Sequence, residues 1–308
     1  MKVRNREITK KLLDALWKQY VERVSYAKTY NDMVLDKGGK VVNDHIAFRT
    51  LNTFTGDQPK GIEAIRQILT HLEYEPRGNY KFQQKKLNAI HFEHPYPEFP
   101  KIFVSQLEVS EFPEEAQHLV NESVKDTPDL LSGTVRDLLA YLGKEGNLSE
   151  NDAENLVKEL TGFFVRPWKE PLKDTVLKLN DLSQYAAWTL LHGNSVNHFT
   201  AFINYQDVKE WPDLQSTCNG LIAAGVPMKD TIEGKKDSIL QQSSTQAVKE
   251  KVEVINEKGE AETMLWTYAY YELAERGYIE ENGNRKLFSG FLGEQASQLF
   301  EMTRTKND

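Results

Sequence analysis

The sequence predicts an α+β fold in which two βαβββ modules share one mixed sheet, with a helical insertion between them and helices at both termini. A strand-like segment that contains one histidine occurs twice, at residues 43–50 and 196–203. Each copy is followed by a helical pattern and then by further extended segments. No low-complexity linker separates the copies. We therefore expect one sheet and one core.

The N-terminal segment, residues 1–40, is predicted to be helical. Apolar residues between Ile8 and Val24 recur at helical spacing and form a wide apolar stripe. Gly38 and Gly39 then break the chain before the first strand. This helix should pack against the sheet.

The first module, residues 41–111, has the order strand, helix and three strands. Residues 41–50 are rich in apolar and β-branched side chains, which favours a strand, and the apolar spacing of residues 61–72 indicates a helix. The extended segments that complete the module lie at residues 79–84, 86–93 and 101–109.

The second module, residues 193–280, repeats this order less regularly. After the strand at 196–203 come a helical pattern at 214–224 and extended segments at 238–248 and 264–274, with a turn at residues 256–259. The repeat predicts that both modules contribute to the same sheet.

The remaining segments are predicted to be helical. In the insertion, residues 112–192, helical spacing covers residues 124–142, 150–164 and 185–191, and Ser149 or Asn151 is a suitable N-cap. The C-terminal segment, residues 281–308, is a loop that leads into a last helix. The apolar side of this segment consists of Phe291, Leu292, Ala296, Leu299 and Phe300.

Composition excludes several classes of function. A net charge of −8 and a pI near 5.5 argue against nucleic-acid binding, because neutralising phosphates requires a basic surface. Cys218 is the single cysteine, which excludes an intramolecular disulfide and favours a reducing compartment. The N-terminus carries no apolar signal, and no stretch approaches the roughly 20 apolar residues of a membrane span. We expect a cytoplasmic protein without nucleic-acid or membrane partners.

Strand alternation places His45, Ala47 and Arg49 on one face and Asp44 on the other. A rise of roughly 3.3 Å per residue separates the Cα atoms of His45 and Arg49 by about 13 Å. This distance suits a metal ligand at one end of an anionic substrate and a cation at the other. The small Ala47 leaves room between them.

The two modules together offer the ligands of one metal site. His198 lies on the second histidine strand, and Glu272 lies in an apolar run where an ionised carboxylate needs a partner. His45, His198 and Glu272 would leave open positions on a six-coordinate metal, as in non-haem Fe(II) oxygenases that bind a 2-oxo acid and dioxygen. Zinc, nickel, manganese or cobalt in the same ligand set would favour Lewis-acid chemistry.

Other polar residues are candidates for contacts with substrate or with the metal ligands. Glu108 is interpreted as the counterpart of Glu272 in the first module, with a structural role or one that supports the ligands. Gln242 and Ser244 could hydrogen-bond a bound acid, or could belong to an exposed polar strand. Tyr270 shares a face with Glu272. Lys86 could reach a substrate carboxylate, although such lysines are usually solvated.

Four short segments in order resemble the 2-oxoadipate dioxygenase/decarboxylase family, which is similar in fold to the vicinal oxygen chelate superfamily. The segments are DHIAFR at 44–49, VNHFT at 196–200, YELAER at 271–276 and LFSGF at 287–291. The resemblance covers most of the chain. It implies a cupped sheet around Fe(II).

The resemblance also implies an activity and roles for individual residues. The activity is the oxidative decarboxylation of 2-oxoadipate to 2-hydroxyglutarate and CO2. His45, His198 and Glu272 match the metal ligands, and Arg49 matches the substrate-binding, catalytic arginine. By similarity to hydroxyphenylpyruvate dioxygenase, residues 288–300 would cover the site. The alternatives are a metal-dependent glyoxalase-like isomerase or lyase without oxygen chemistry, and a non-catalytic protein that binds metal or ligand.

Overall fold

The computed structural model describes residues 1–281, 283–292 and 303. Within these residues, seven strands form a curled mixed sheet of the half-barrel type, and three strand pairs lie outside it. None of the described helices is long and apolar enough to span a bilayer. The predicted α+β class is confirmed.

The N-terminal segment contains one short strand and two helices. Strand β1 is Lys2–Arg4, helix α1 is Asn5–Arg23 and helix α2 is Ser25–Asp36. Buried apolar residues of α1 recur every four positions from Ile8 to Tyr20, as the spacing predicts. Helix α2 continues the predicted helical segment beyond Val24, and its buried Ala27, Tyr30 and Val34 also follow helical spacing.

The first module has the predicted order of elements. Its strands and helix are β2 Asn43–Leu51, α3 Glu63–Leu69, β3 Glu75–Phe82, β4 Leu87–Glu93 and β5 Lys101–Leu107. Strand β5 runs parallel to β2, and β4 pairs antiparallel with both β3 and β5.

The insertion is mostly helical. Its elements are α4 Glu114–Val124, α5 Gly133–Glu145, β6 Asn147–Ser149, α6 Glu150–Phe163, α7 Lys173–Leu182 and α8 Gln184–His192. The predicted helix over 124–142 is wrong at its start, because Pro128 lies in a non-helical segment and Ser132 caps α5 by accepting from the Val135 backbone N–H at 3.3 Å. Ser149 is confirmed as the N-cap of α6, whereas Asn151 lies inside that helix.

The second module contains β7 Val196–Phe202, α9 Leu214–Ala223, β8 Leu240–Ser244, β9 Lys249–Ile255, β10 Ala261–Thr267 and β11 Glu272–Arg276. A hairpin of β12 Tyr278–Glu281 and β13 Asn284–Leu287 follows. Apart from Thr303, the predicted C-terminal helix after Leu292 lies outside the described residues.

The order of strands in the main sheet is β3-β4-β5-β2-β7-β11-β8. Strands β9 and β10 form a separate hairpin, so the predicted extended segment over 264–274 is two strands divided at residues 268–271. Buried side chains of the hairpin, among them Val252, Val254 and Trp266, pack with Ala187 and Leu191 of α8. Because the hairpin buries its apolar side against helices of the insertion, it does not add to the main sheet.

The two faces of the sheet pack against different helices. Ile46 and Phe48 of β2 belong to a large core that includes residues of α1, α2, α5 and α6. Ala47 and Leu51, on the opposite face, belong to a smaller core with residues of α4 and α8. His45 and Arg49 share this second face, which we call the site face.

A local twofold axis relates the modules at the centre of the sheet. Strands β2 and β7 are antiparallel, with His45 opposite Thr200 and Ala47 opposite His198. A rotation that puts β2 in the place of β7 therefore puts His45 in the place of His198 and Ala47 in the place of Thr200. Strand β5 runs parallel to β2 and strand β11 runs parallel to β7, so both occupy equivalent places beside the central pair.

Candidate metal and substrate site

Strand register brings the candidate metal ligands together. His45 of β2 lies opposite Thr200 of β7, which in turn lies opposite Glu272 of β11. His198 is two residues before Thr200 on the same face. The ligand atoms of His45, His198 and Glu272 all lie within 4.8 Å of one another.

These three side chains converge through the outer nitrogens of the imidazoles. His45 Nε2 is 3.6 Å from Glu272 Oε1, and His198 Nε2 is 3.4 Å from Glu272 Oε2. The imidazole planes are almost perpendicular, with 5.5 Å between ring centroids. His45 and Glu272 are almost fully buried, so the cluster is shielded from bulk solvent.

A β-bulge precedes each histidine. The pairing of β2 with β7 shifts register between Asn43 and His45, and again between Ala47 and Phe48. The extra residues are Asp44 on β2 and Asn197 on β7, and a bulge redirects the side chain of the residue it adds. These bulges are equivalent under the local twofold axis.

Each bulge residue holds the imidazole that follows it. Asp44 Oδ2 accepts a hydrogen bond from His45 Nδ1 at 2.8 Å, and Asn197 Oδ1 accepts one from His198 Nδ1 at 3.0 Å. A donating Nδ1 leaves the lone pair on Nε2, which is the atom directed at Glu272. The expectation that Asp44 points away from the site face is therefore wrong, because the bulge interrupts strand alternation.

A buried ion pair lies behind His45. Arg276 donates from Nε to Asp44 Oδ1 at 2.5 Å and from Nη2 to Asp44 Oδ2 at 2.8 Å. Burial alone would raise the pKa of Asp44, but the guanidinium of Arg276 holds that pKa well below its usual range. Asp44 is thus an ionised acceptor for His45.

Burial also sets the protonation of the three candidate ligands. Burial lowers the pKa of His45, although the hydrogen bond to Asp44 acts in the opposite direction and raises it. Burial also lowers the pKa of His198 well below its usual value, and the neighbouring His45 lowers it further. Burial raises the pKa of Glu272 to about 8, although Gln242 Nε2 donates to Glu272 Oε1 at 2.6 Å. A divalent cation would stabilise the carboxylate, and the two neutral imidazoles offer lone pairs. The donor set therefore fits a divalent metal.

Arg49, four residues after His45 on β2, lines the same cavity. Its side chain is almost fully buried, and Nη1 donates to Gln184 Oε1 at 3.4 Å. The guanidinium carbon lies 4.8 Å from the ring centroid of Tyr185 and 5.0 Å from that of Trp188. The cavity is lined by His45, Ala47, Phe48, Arg49, Phe103, Ser105, Asn197, His198, Gln242, Tyr270, Glu272 and Phe291.

Three further candidates lie near Glu272. Gln242 and Tyr270 line the cavity, and the Tyr270 ring stacks on His198 with 4.8 Å between centroids. Burial raises the pKa of Tyr270 well above its usual value, so its hydroxyl is neutral. Ser244 lies opposite Glu272 in the sheet and is fully buried, but it does not line the cavity.

Two predicted residues lie away from the cavity. Lys86 Nζ donates to the Glu111 carbonyl oxygen at 2.6 Å on the protein surface. Glu108 follows the end of β5 and accepts hydrogen bonds from Asn52, Asn88 and Gln106. Neither residue lines the cavity that holds Arg49 and the three candidate ligands.

The interpretation of Glu108 as the counterpart of Glu272 is wrong. Glu272 lies opposite Thr200, and the twofold equivalent of Thr200 is Ala47. Ala47 lies opposite Phe103 on β5, so Phe103 is the counterpart of Glu272. Phe103 lies five residues before Glu108 in the sequence.

Sequence reasoning missed Phe103 and Ser105 as cavity residues, whereas Phe291 lies in the segment 288–300 that was expected to cover the site. Strand alternation from Lys101, which lies opposite His45, would have placed Phe103 and Ser105 on the site face. Phe291 lies in an irregular segment without periodicity. Its ring is 4.9 Å from that of His45 and 5.0 Å from that of Phe103, so it closes one side of the cavity.

A family model for 2-oxoadipate dioxygenase/decarboxylase matches residues 8–307. The chain belongs to this family. The 2-oxoadipate dioxygenase/decarboxylase of rice, named as chloroplastic/amyloplastic, is 25% identical over 318 residues, which cover 93% of this chain and 76% of the rice protein. The chloroplastic protein of the same name from Arabidopsis thaliana is 26% identical and covers 84% of this chain and 67% of its own length.

Solved structures agree with the fold of the family. A protein of Ralstonia eutropha JMP134, described as a glyoxalase superfamily member, has 26% identity and a TM-score of 0.85, with 93% of this chain and 87% of that chain covered. The hydroxyglutarate synthase of rice in complex with 2-oxoadipate has 24% identity and a TM-score of 0.75, with 97% and 93% covered. The predicted glyoxalase-like fold and family are confirmed.

Proposed function

We propose that this member of the family is an Fe(II)-dependent dioxygenase that decarboxylates 2-oxoadipate or a closely related 2-oxo dicarboxylic acid. For 2-oxoadipate, one dioxygen is consumed, the bond between the carboxylate carbon and the keto carbon breaks, and 2-hydroxyglutarate and CO2 form. The CO2 carries the two oxygen atoms of the lost carboxylate. One oxygen atom of O2 completes the new carboxylate at the former keto carbon, and the other is inserted into a C–H bond of the adjacent carbon to give the hydroxyl. The 2-oxo acid itself supplies the electrons.

The proposal rests on the presence of three metal-binding side chains and one guanidinium in the same cavity. His45, His198 and Glu272 converge in this cavity, and Arg49, four residues after His45 on β2, also lines it. A 2-oxo dicarboxylic acid has a chelating group at one end and a carboxylate at the other. We assign the 2-oxo carboxylate to the three-residue cluster and the distal carboxylate to Arg49.

The metal and the protein have separate tasks. Bound Fe(II) would supply a Lewis acid for the 2-oxo carboxylate and a redox centre that reacts with dioxygen. His45 and His198 offer Nε2 lone pairs whose direction is fixed by Asp44 and Asn197. Gln242 holds one oxygen of Glu272 through its amide N–H.

Arg49 binds and orients the substrate. A planar guanidinium can donate two parallel hydrogen bonds to a carboxylate, and burial strengthens the attraction between the charges. The neighbouring rings of Tyr185 and Trp188 leave the guanidinium few orientations. Arg49 therefore selects acids with a distal carboxylate and fixes the distance between that group and the metal end.

Aromatic side chains keep water away from the reacting end. Phe103 and Phe291 both line the cavity, and the Phe291 ring packs edge-on to His45. Excluding water prevents side reactions of the bound substrate and strengthens its interaction with Arg49. The names of the rice and Arabidopsis relatives, and the 2-oxoadipate in the rice structure, support the choice of substrate.

The test measures stoichiometry. Protein loaded with Fe(II) under anaerobic conditions and then exposed to oxygen should consume O2 and release CO2 and 2-hydroxyglutarate in equal amounts from 2-oxoadipate. His198→Ala and Glu272→Ala should lose metal affinity and turnover by at least about 100-fold. His118→Ala, which removes an exposed imidazole on α4, should change neither.

Three outcomes would contradict the proposal. Turnover of the substrate without oxygen, or with zinc or nickel in place of iron, would indicate a glyoxalase-like isomerase or lyase. Metal affinity that is equal in the wild type and in the His198→Ala variant would exclude the three-residue site.

The cytoplasmic location stays a prediction from composition.

A further inference from the structure

Arg276 binds two parts of the site at the same time. It lies at the end of β11, four residues after Glu272, and is 3% exposed. Its Nε and Nη2 atoms donate to Asp44, while Nη1 donates to the carbonyl oxygens of Phe288 at 3.0 Å and Gly290 at 2.8 Å. The guanidinium thus connects β2 to an irregular segment after β13.

Arg276 is linked through Asp44 to His45, a candidate metal ligand. Asp44 accepts from both Arg276 and His45 Nδ1, and its pKa is lowered by the guanidinium despite burial. Removing the cation would leave a buried carboxylate beside His45 without its strongest partner. The direction of His45 Nε2 therefore depends on Arg276 through Asp44.

Through Nη1, Arg276 also holds the segment 288–291, which closes one side of the cavity. Phe291 follows the two carbonyl groups that Arg276 binds, and its ring contacts His45. The Phe291 backbone N–H donates to Tyr80 Oη at 3.3 Å.

We propose that Arg276 is a positioning residue that couples closure of residues 288–291 over the cavity to the ligand orientation of His45. This inference rests on the proposed function, because it requires a metal at His45, His198 and Glu272. When residues 288–291 are in place, their carbonyl groups and Asp44 hold one guanidinium in one position. Coupling is reciprocal, so metal binding stabilises the closed segment by the same factor by which closure increases metal affinity.

The test uses Co(II) as the probe and has two readouts besides activity. Co(II) affinity is measured by competition with a chelator, and hydrogen exchange is measured on a peptide that covers residues 286–292. In the wild type, Co(II) should slow exchange in this peptide. In Arg276→Met, Co(II) affinity should fall about 10- to 100-fold, and Co(II) should no longer change the exchange rate.

Tyr80→Phe tests the coupling without changing either charged residue. It removes the hydroxyl that accepts from the Phe291 backbone N–H at 3.3 Å, and the coupling predicts a fall in Co(II) affinity of about fivefold together with faster exchange. This variant keeps the test valid if Arg276→Met does not fold. Arg285→Ala removes an exposed arginine of the adjacent hairpin and should leave both readouts unchanged.

The outcomes separate this inference from the proposed function. If the wild type binds Co(II) and the Fe(II) enzyme turns over, but Tyr80→Phe speeds exchange without loss of Co(II) affinity, the coupling is refuted and the function stands. If the wild type binds no Co(II) at the three-residue cluster, the proposed function fails first. Unchanged affinity in Arg276→Met would also refute the coupling.

Discussion

The two central strands of the sheet are chemically alike, whereas the strands beside them are not. β2 and β7 each carry a histidine whose Nδ1 donates to the side chain of a bulge residue. On the neighbouring strands, Phe103 of β5 is the twofold equivalent of Glu272 of β11. The same symmetry relates Arg49 of β2 to Phe202 of β7.

This difference explains how a symmetric sheet can build an asymmetric site. Repeating one module supplies two imidazoles in equivalent surroundings. Among the described residues that line the cavity, Glu272 is the one carboxylate, with Phe103 at the equivalent position on β5, and Arg49 is the one guanidinium. Substrate orientation therefore depends on the positions where the repeat is broken.

Restoring the symmetry at Phe103 should have the largest effect. Phe103→Glu would add a second carboxylate at the position equivalent to Glu272, where it competes with the 2-oxo acid for the metal. We expect Co(II) affinity to be retained and 2-oxoadipate turnover to fall by at least about 100-fold, an effect of the size that misplacement of a reacting group causes. Metal competition and product formation measure these quantities.

The control for this variant is Phe103→Leu, which keeps the position apolar. It should retain turnover within a few-fold of the wild type. If Phe103→Glu turned over like Phe103→Leu, the asymmetry between Phe103 and Glu272 would have no catalytic meaning.

Removing the arginine should have the next largest effect. In Arg49→Met, KM for 2-oxoadipate should rise about 30-fold or more, because a buried charge-assisted contact with the distal carboxylate is lost. Turnover of 2-oxohexanoate, which has the same chain length and no distal carboxylate, should be little affected. Steady-state kinetics with both acids measure this discrimination.

Phe202→Leu is the matched change in the other module. It should leave both KM values unchanged, because Phe202 is outside the residues that line the cavity. Equal losses for the two acids in Arg49→Met would indicate a structural role for Arg49 rather than recognition of the carboxylate.

The last expected effect is on stability rather than on turnover, and it depends on pH. Burial raises the pKa of Glu272 to about 8 in the metal-free protein, from an ordinary value of 4.5, while Phe103 has no titrating group. A carboxyl group whose pKa is higher in the folded than in the unfolded protein stabilises the fold at pH values below its pKa in the unfolded state. This stabilisation is lost as the pH rises through its pKa in the folded state. Relative to Glu272→Gln, the metal-free wild type should therefore lose stability between pH 5 and 9, by at most about 1.4 kcal/mol per pH unit.

Thermal unfolding of the two metal-free proteins across this pH range measures the difference. Saturating Co(II) should reverse the trend in the wild type, because the metal binds the ionised carboxylate. A constant difference in Tm across the range would show that Glu272 titrates near its ordinary pKa.

The parts of the site that follow local rules could be predicted from the sequence. The repeat and strand alternation indicated His45, His198 and Arg49, and an ionisable residue in an apolar run indicated Glu272. Each inference needs only the residues of one strand and its period of two. The structure brings these four residues to a single cavity.

The parts that failed depend on pairing between distant strands. Asp44 and Asn197 face their histidines because of bulges, which depend on the partner strand. Glu108 was matched to Glu272 by position within a segment, whereas the register of β5 with β2 selects Phe103. Phe291 lies within the predicted cover at residues 288–300, but the contacts with Arg276 and Tyr80 that position this segment could not be read from its irregular sequence.

The antiparallel pairing of β2 with β7 has a consequence for how the molecule folds. The pairing places His45 opposite Thr200, 155 positions away in the sequence, while the helices of the insertion form from local contacts. Contacts between distant residues require closure of a long loop, which is slow. The metal site is thus assembled only when the most non-local part of the sheet has paired. Metal binding therefore stabilises the completed fold and cannot rescue a chain in which only one half has folded.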